Sequence, residues 1–217
     1  MITIKSVETA IGNADKMISD LKPENFDVPA LTSLKIRHLL NNLGKLGSNY
    51  LECGVHRGGT FTSTVSYNNN LKHITAVDNF KSDFGEGAKA YPDFKINAGK
   101  FIPKNSSFKL IIADCFDVDL SDIPDGVDLY LYDGGHSEQD QYDAIGYYLP
   151  VLADKFIFLC DDFDWEEVES GTRKAISDLG IKIVFEKHLR SEKSREVGGH
   201  DNDSWWNGFY VSVLKKK

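Results

Sequence analysis

The chain has 217 residues, 41% hydrophobic and 27% charged, which suits one globular α/β domain with a sizeable core. Its formal net charge is −8, and its one basic cluster is the terminal Lys215-Lys216-Lys217, so a nucleic-acid partner is not expected. No apolar run approaches the roughly 20 residues that span a bilayer, and the start Met1–Lys5 lacks the apolar stretch of a signal peptide. The expectation is a cytoplasmic protein that does not enter a membrane. Cys53, Cys115 and Cys160 are odd in number and lack Cys-x-x-Cys spacing. That pattern speaks against a disulfide framework or a zinc site and for small core side chains.

Residues 1–47 read as a helical segment packed on the core. Leu31, Leu34, Ile36, Leu39, Leu40 and Leu43 recur at near-helical spacing, and Gly44 and Gly47 supply the stop. Residues 48–217 then alternate short apolar runs with amphipathic stretches. The runs are Tyr50–Cys53, His73–Val77, Phe108–Ile112, Leu129–Tyr132, Phe156–Cys160, Ile181–Phe185 and Gly208–Leu214. Helices are predicted over Thr60–Tyr67, Ser137–Leu152 and Glu166–Leu179. Continuous apolar runs suit strands covered on both faces, and strand–helix alternation implies a doubly wound, mostly parallel sheet of seven strands. The polar stretch Ser191–Asn207 separates the last two runs without a good helix, so the final strand is expected to enter antiparallel.

In such a sheet, ligands bind outside the carboxyl ends of the strands. The first strand ends in Glu52-Cys53-Gly54-Val55-His56-Arg57-Gly58-Gly59. Its glycines let a ligand approach the backbone, and Glu52 could face an ammonium group. The spacing is not the Gly-x-Gly-x-x-Gly of dinucleotide enzymes. The second strand ends in Asp78, placed to accept hydrogen bonds from both hydroxyls of a ribose. The third runs into Asp114-Cys115, near where the amine of an adenine would lie. The fourth and fifth end in Asp133-Gly134-Gly135-His136 and Asp161-Asp162. Three neighbouring carboxylates repel one another unless a cation neutralises them or some stay protonated, and oxygen ligands point to Mg²⁺ or Ca²⁺. His136 could act as a base near neutral pH.

Taken in order, Glu52-Cys-Gly54-x-x-x-Gly58-Gly59, Asp78, Asp114, Asp133-Gly-Gly-His136 and Asp161-Asp162 resemble the class I S-adenosylmethionine-dependent methyltransferases, with a Rossmann-like domain. More narrowly, the set is similar to the macrocin O-methyltransferase-like group, whose relatives act on sugar or antibiotic hydroxyls. The resemblance covers roughly residues 35 to 180. It implies that Glu52, Gly54 and Gly58 line the methionine part of the cofactor, and that Asp78 binds its ribose. It also implies that Asp114 and the Cys115 backbone meet adenine, and that Asp133 lies at the cofactor and the reaction centre. By the same resemblance Asp133, Asp161 and Asp162 hold Mg²⁺, and His136 is catalytic with Asp133. Two departures stand out: Gly135 replaces an aspartate of the group's Asp-Gly-Asp-His, and Ala153-Asp154-Lys155 replaces a Pro-Gly-Gly turn.

The expected partner is a small hydroxylated acceptor, such as a sugar, and a homo-oligomer is compatible with the sequence. Rival readings are an NAD-type oxidoreductase and a non-catalytic nucleoside-binding protein of the same fold. Lys81–Asn105, with Phe84, Tyr91 and Phe94, and Ser191–Asn207, with His200, Trp205 and Trp206, are candidates for lids over the site or for plain surface loops.

Overall fold

The computed structural model describes residues 2–81, 89–191 and 202–217. Seven strands form one sheet: β1 (Asn49–Cys53), β2 (His73–Val77), β3 (Ser107–Ile111), β4 (Val127–Tyr132), β5 (Leu152–Cys160), β6 (Lys182–Leu189) and β7 (Phe209–Lys215). Their spatial order is β3-β2-β1-β4-β5-β7-β6. β1 to β5 pair in parallel, and β7 enters antiparallel between β5 and β6, as the sequence leads one to expect. The chain therefore has the Rossmann-like arrangement with one reversed strand.

Strand alternation separates two cores. Tyr50, Leu129, Leu131, Ile157 and Leu159 face one layer, while Leu51, Cys53, Tyr130, Tyr132, Phe156, Phe158 and Cys160 face the other. The first layer is covered by α1 (Ile4–Ala14), α3 (Leu34–Gly44), α4 (Gly59–Val65) and α5 (Ala90–Phe101). The second is covered by α6 (Glu138–Tyr148) and α7 (Glu166–Asp178). β3 is an exception to two-sided cover. It is one sheet edge, with Phe108 exposed and Ile112 exposed just beyond it; β6 is the other edge, where Ile183 is exposed.

Residues 1–47 hold three helices. Thr3 and Ser6 form a capping box at α1, Pro23 opens the single turn α2 (Pro23–Phe26), and Ser33 Oγ accepts from Ile36 N to start α3. Leu31 falls outside α3 and is half exposed. Buried Arg37 fixes the connecting strap: its Nε donates to Ser63 Oγ and its Nη1 to Val28 O, and Nη2 donates to Asn25 O. The predicted helix Ser137–Leu152 stops at Tyr148, ahead of Pro150, and the chain is already strand at Leu152. The 81–105 stretch, expected to be a lid or a surface loop, contains α5. Ala90, Phe94, Ala98 and Phe101 are its buried positions, and Phe94 packs on Phe61 and Phe80, so it is a core residue and not part of a lid. Phe84 and His200 lie outside the described residues. Among the described residues no helix is long and apolar enough to cross a membrane.

Candidate functional site

Parallel pairing sets the site. Cys53 pairs with Val77 and Tyr132, Val77 with Ile111, and Tyr132 with Cys160. The next residue of each strand therefore falls in one row, and the backbone ladder runs on into it. Gly54 N donates to Val77 O (2.9 Å), Asp133 N to Cys53 O (2.9 Å), Asp78 N to Ile111 O (3.2 Å) and Asp161 N to Tyr132 O (3.3 Å). Asp78, Gly54, Asp133 and Asp161 thus share the carboxyl rim of the sheet. Above them lies a cleft of about 580 Å³, whose walls include Gly54, Asp78, Asp114, Cys115, Asp133, His136, Asp161 and Asp162.

Two glycines are required by backbone geometry. Gly54 has φ +87°, and a Cβ there would sit 1.8 Å from Asp133 O. Gly58, at the N-terminus of α4, has φ +90° and lies against Phe94. Gly58 itself does not line the cleft; its neighbours Arg57 and Gly59 do.

Asp78 is shaped by its own loop. Its Oδ2 accepts from His56 N (2.7 Å) and its Oδ1 from Phe80 N (2.6 Å). Each oxygen keeps a lone pair for a further donor. Asp114 Oδ1 accepts from Phe116 N (3.1 Å), which turns the chain so that Cys115 and Phe116 line the same end of the cleft. Phe116 stacks on Tyr132, with ring centroids 6.3 Å apart.

Glu52 does not reach the cleft. It is fully buried, on the same face of β1 as Tyr50. Tyr50 Oη donates to Glu52 Oε2, and Thr60 Oγ1 donates to Oε1 at 2.5 Å. Burial pushes its carboxyl group up to about 8. The sequence reading aims Glu52 at an ammonium group, but strand alternation instead points it beneath α4, where it braces Thr60, a residue of the cleft wall.

The acidic end differs from expectation in membership. Ligand atoms of Asp133, His136 and Asp162 all lie within 4.8 Å of one another; Asp161, expected in the set, is not in this group. Asp161 is buried, its Oδ1 accepts from Asp162 N (3.0 Å), and burial with Asp133 nearby pushes its carboxyl well up. Burial, then the charge of Asp162, pushes Asp133 up to about 7. His136 Nε2 lies 3.0 Å from Asp162 Oδ2, and that carboxylate raises the imidazole above its ordinary value. Nε2 is buried. Two cis ligands held about 2.1 Å from one octahedral ion are themselves about 3 Å apart. This group could hold a divalent cation, and its carboxylate oxygens would suit Mg²⁺.

Gly135 has a physical reason. A Cβ there would lie 2.4 Å from Asp140 Oδ2. Asp140 caps α6 by accepting from Ser137 N and Oγ, and it lines the cleft. A carboxylate from position 140 therefore lies beside position 135 on the cleft wall.

Sequence reasoning missed several walls. Pro29, Ala30, Leu31 and Trp165 line the cleft, as do Trp206 and Asn207 of the candidate lid Ser191–Asn207. Leu31 looked like part of a helical stripe. Trp206 lay in a suspected lid and does face the cleft, whereas Trp205 packs beneath Lys35 Nζ, 5.0 Å from its ring centre. Cys53 and Cys160 are buried, Cys115 is partly exposed, and all are free thiols.

Comparison with known proteins places this chain in a family. Residues 51–163, more than half of the chain, match the family profile described as a methyltransferase domain. A search of curated proteins finds no match. Among solved structures the chain resembles an O-methyltransferase from Bacillus cereus in complex with SAH, at 12% identity and TM-score 0.57 over 99% of this chain and 93% of that one. It resembles the O-methyltransferase TomG from Streptomyces achromogenes, involved in tomaymycin synthesis and solved with SAM, at 14% identity and TM-score 0.57 over 100% and 92%. It also resembles cofactor-bound Rv0187 from MTB, at 11% identity and TM-score 0.58 over 99% and 92%. At such identities the likenesses speak for the fold alone. With its fold and more than half of its length matched, the chain belongs to the methyltransferase domain family.

Proposed function

We propose that this protein transfers a methyl group from S-adenosylmethionine to a hydroxyl of a small acceptor, with the assistance of a divalent cation. The observation that carries the reading is the row of Asp78, Gly54 and Asp133 beneath a cleft of about 580 Å³, in a chain of the methyltransferase domain family. Gly54 admits the methionine part, Asp78 takes the ribose hydroxyls, and Asp114 with the Cys115 backbone meets adenine. The narrower likeness to the macrocin O-methyltransferase-like group favours a sugar hydroxyl. The cleft supports an acceptor without phosphates, because Asp78, Asp114, Asp133, Asp140, Asp161 and Asp162 all line it, and Arg57 is paired with Asp93 at 2.8 Å.

The cofactor supplies an electrophilic methyl on a sulfonium sulfur. The acceptor oxygen bonds to that carbon as the sulfur–carbon bond breaks, and the protein's share is to align the two. Asp133 and Asp162 would hold the cation, which supplies a lowered hydroxyl pKa and a fixed direction. The hydroxyl proton passes to His136. Its Nε2 is turned to Asp162, so Nδ1 takes the proton and the carboxylate stabilises the imidazolium.

The test is methyl transfer from labelled cofactor to a panel of sugars and other small alcohols, with and without chelator. Labelled product that disappears on chelation and returns with Mg²⁺ supports the reading. Transfer undiminished after complete metal removal eliminates the cation, and binding of NAD in place of S-adenosylhomocysteine eliminates the methyltransferase reading altogether.

A further inference from the structure

The segment from Asn202 to Gly208 joins two parts of the site that the chain order keeps far apart. At one end it is tied to the start of α3: Lys35 N donates to Asn202 O (3.1 Å), and Ser33 Oγ donates to Ser204 O (2.7 Å). At the other end it is tied to the loop after β5: Asp164 N donates to Asn207 O (2.8 Å) and Phe163 N to Gly208 O (3.0 Å). Between these ties Asn207 Nδ2 donates to Asp162 Oδ1 at 2.7 Å.

Both partners of that bond have left-handed backbones, Asn207 with φ +52° and Asp162 with φ +55°. Asn and Asp tolerate this region better than most residues, and such conformations persist where their surroundings hold them. One oxygen of Asp162 is thus taken by an amide, and the other, Oδ2, is left facing His136 Nε2 at 3.0 Å. A ligating carboxylate is commonly oriented through its second oxygen in this way.

We propose that Asn207 is a positioning residue: its side-chain amide fixes the rotation of the Asp162 carboxylate so that Oδ2 is presented to the cation site. The inference rests on the proposed function for the role of Asp162. Its neighbour Trp206 lines the cleft, so the residue that sets the carboxylate adjoins one that faces the acceptor.

Asn207→Gly is the decisive variant, because glycine keeps the left-handed backbone without strain and deletes the amide. Two measurements are made on it and on the parent: the Asp162 carboxylate orientation in crystals, and Mn²⁺ affinity by electron paramagnetic resonance. The carboxylate is expected to rotate and Mn²⁺ affinity to fall about tenfold to a hundredfold, while cooperative unfolding is retained. An unmoved Asp162 carboxylate, or Mn²⁺ bound as tightly as by the parent, overturns the proposal. Should Asn207→Gly fail to fold, Asn207→Asp, which keeps the shape and removes the donor, takes the same two measurements with the same expected and overturning results. If the parent itself holds no Mn²⁺, the cation in the proposed function falls, and the carboxylate orientation alone decides the role of Asn207.

Discussion

Single side chains at the strand ends divide into those that hold the loops and those that can hold a ligand, and Asp78 does both. Its two oxygens already accept from His56 N and Phe80 N, at 2.7 and 2.6 Å, so the carboxylate arrives in the cleft with its orientation fixed. Asp78→Asn keeps the shape but turns one acceptor into a donor. Hydrogen bonds to charged groups contribute about 1.5–3 kcal/mol, so S-adenosylhomocysteine affinity measured by calorimetry should fall roughly tenfold to a hundredfold. Unchanged affinity would sink the ribose role. Glu52 is a different case, a buried carboxyl group held at about 8 against an ordinary 4.5. The folded state binds a proton there that the unfolded state releases. Its contribution to stability is whole below about pH 4.5 and is lost as pH rises to about 8, a matter of a few kcal/mol. Glu52→Gln should therefore flatten the decline in urea-unfolding free energy across that window. A decline of the same steepness in the variant rejects the assignment.

At the scale of elements, legibility in the sequence followed from how local each signal is. A parallel strand with both faces covered announces itself as a short apolar run, and the residue after it can be placed on the rim without knowing the neighbours. This is why Asp78, Asp133 and Asp161 can be placed on one rim from the sequence; Asp114, three residues past β3, lines the same cleft. Glu52 precedes its strand end by one residue, and a step of one along a strand reverses the face, so its side chain lies under α4 and not on the rim. Helix α5 was missed although Ala90, Phe94, Ala98 and Phe101 follow helical spacing, because Pro92 and Gly99 mark the same stretch as loop. Pro92 falls in the first turn, where no backbone donor is lost. The wall at Pro29–Leu31 is not legible in the sequence, and Trp206–Asn207 is legible only as part of a candidate lid, since the two come together through contacts such as that of Ser33 with Ser204, 171 residues away in sequence. The β1–α4 turn tests the same point by mutation. Gly54→Ala places a methyl group 1.8 Å from Asp133 O in a backbone at φ +87°. Strain and forced displacement of β4 should cost at least about 2 kcal/mol, and thermal unfolding should fall by at least roughly 4 °C. A variant that melts with the parent would show that the two strand ends are not in contact.

Over the whole molecule, charge and topology act on the same place. The net charge of −8 is not spread evenly, for the aspartates at positions 78, 114, 133, 140, 161 and 162 all line one cleft. Parallel pairing puts them there, and their mutual repulsion adds to burial in raising the carboxyl groups of Asp133 and Asp161. A ligand with a positive sulfonium and an ammonium group relieves that repulsion, whereas a pyrophosphate adds to it. The two classes of cofactor should then separate cleanly in a melting experiment. S-adenosylhomocysteine, uncharged at sulfur but still bearing the ammonium and the adenosine, stabilises only the folded state. At one hundred times its dissociation constant the gain is about 2.7 kcal/mol, or roughly 5–11 °C for a chain of this size. NAD⁺ at the same concentration should leave the melting temperature unchanged. S-adenosylmethionine, with its sulfonium charge, should match or exceed the shift given by S-adenosylhomocysteine. Equal stabilisation by NAD⁺ would mean that the carboxylates do not select against phosphate, and the electrostatic case for a methyl donor would fail with it.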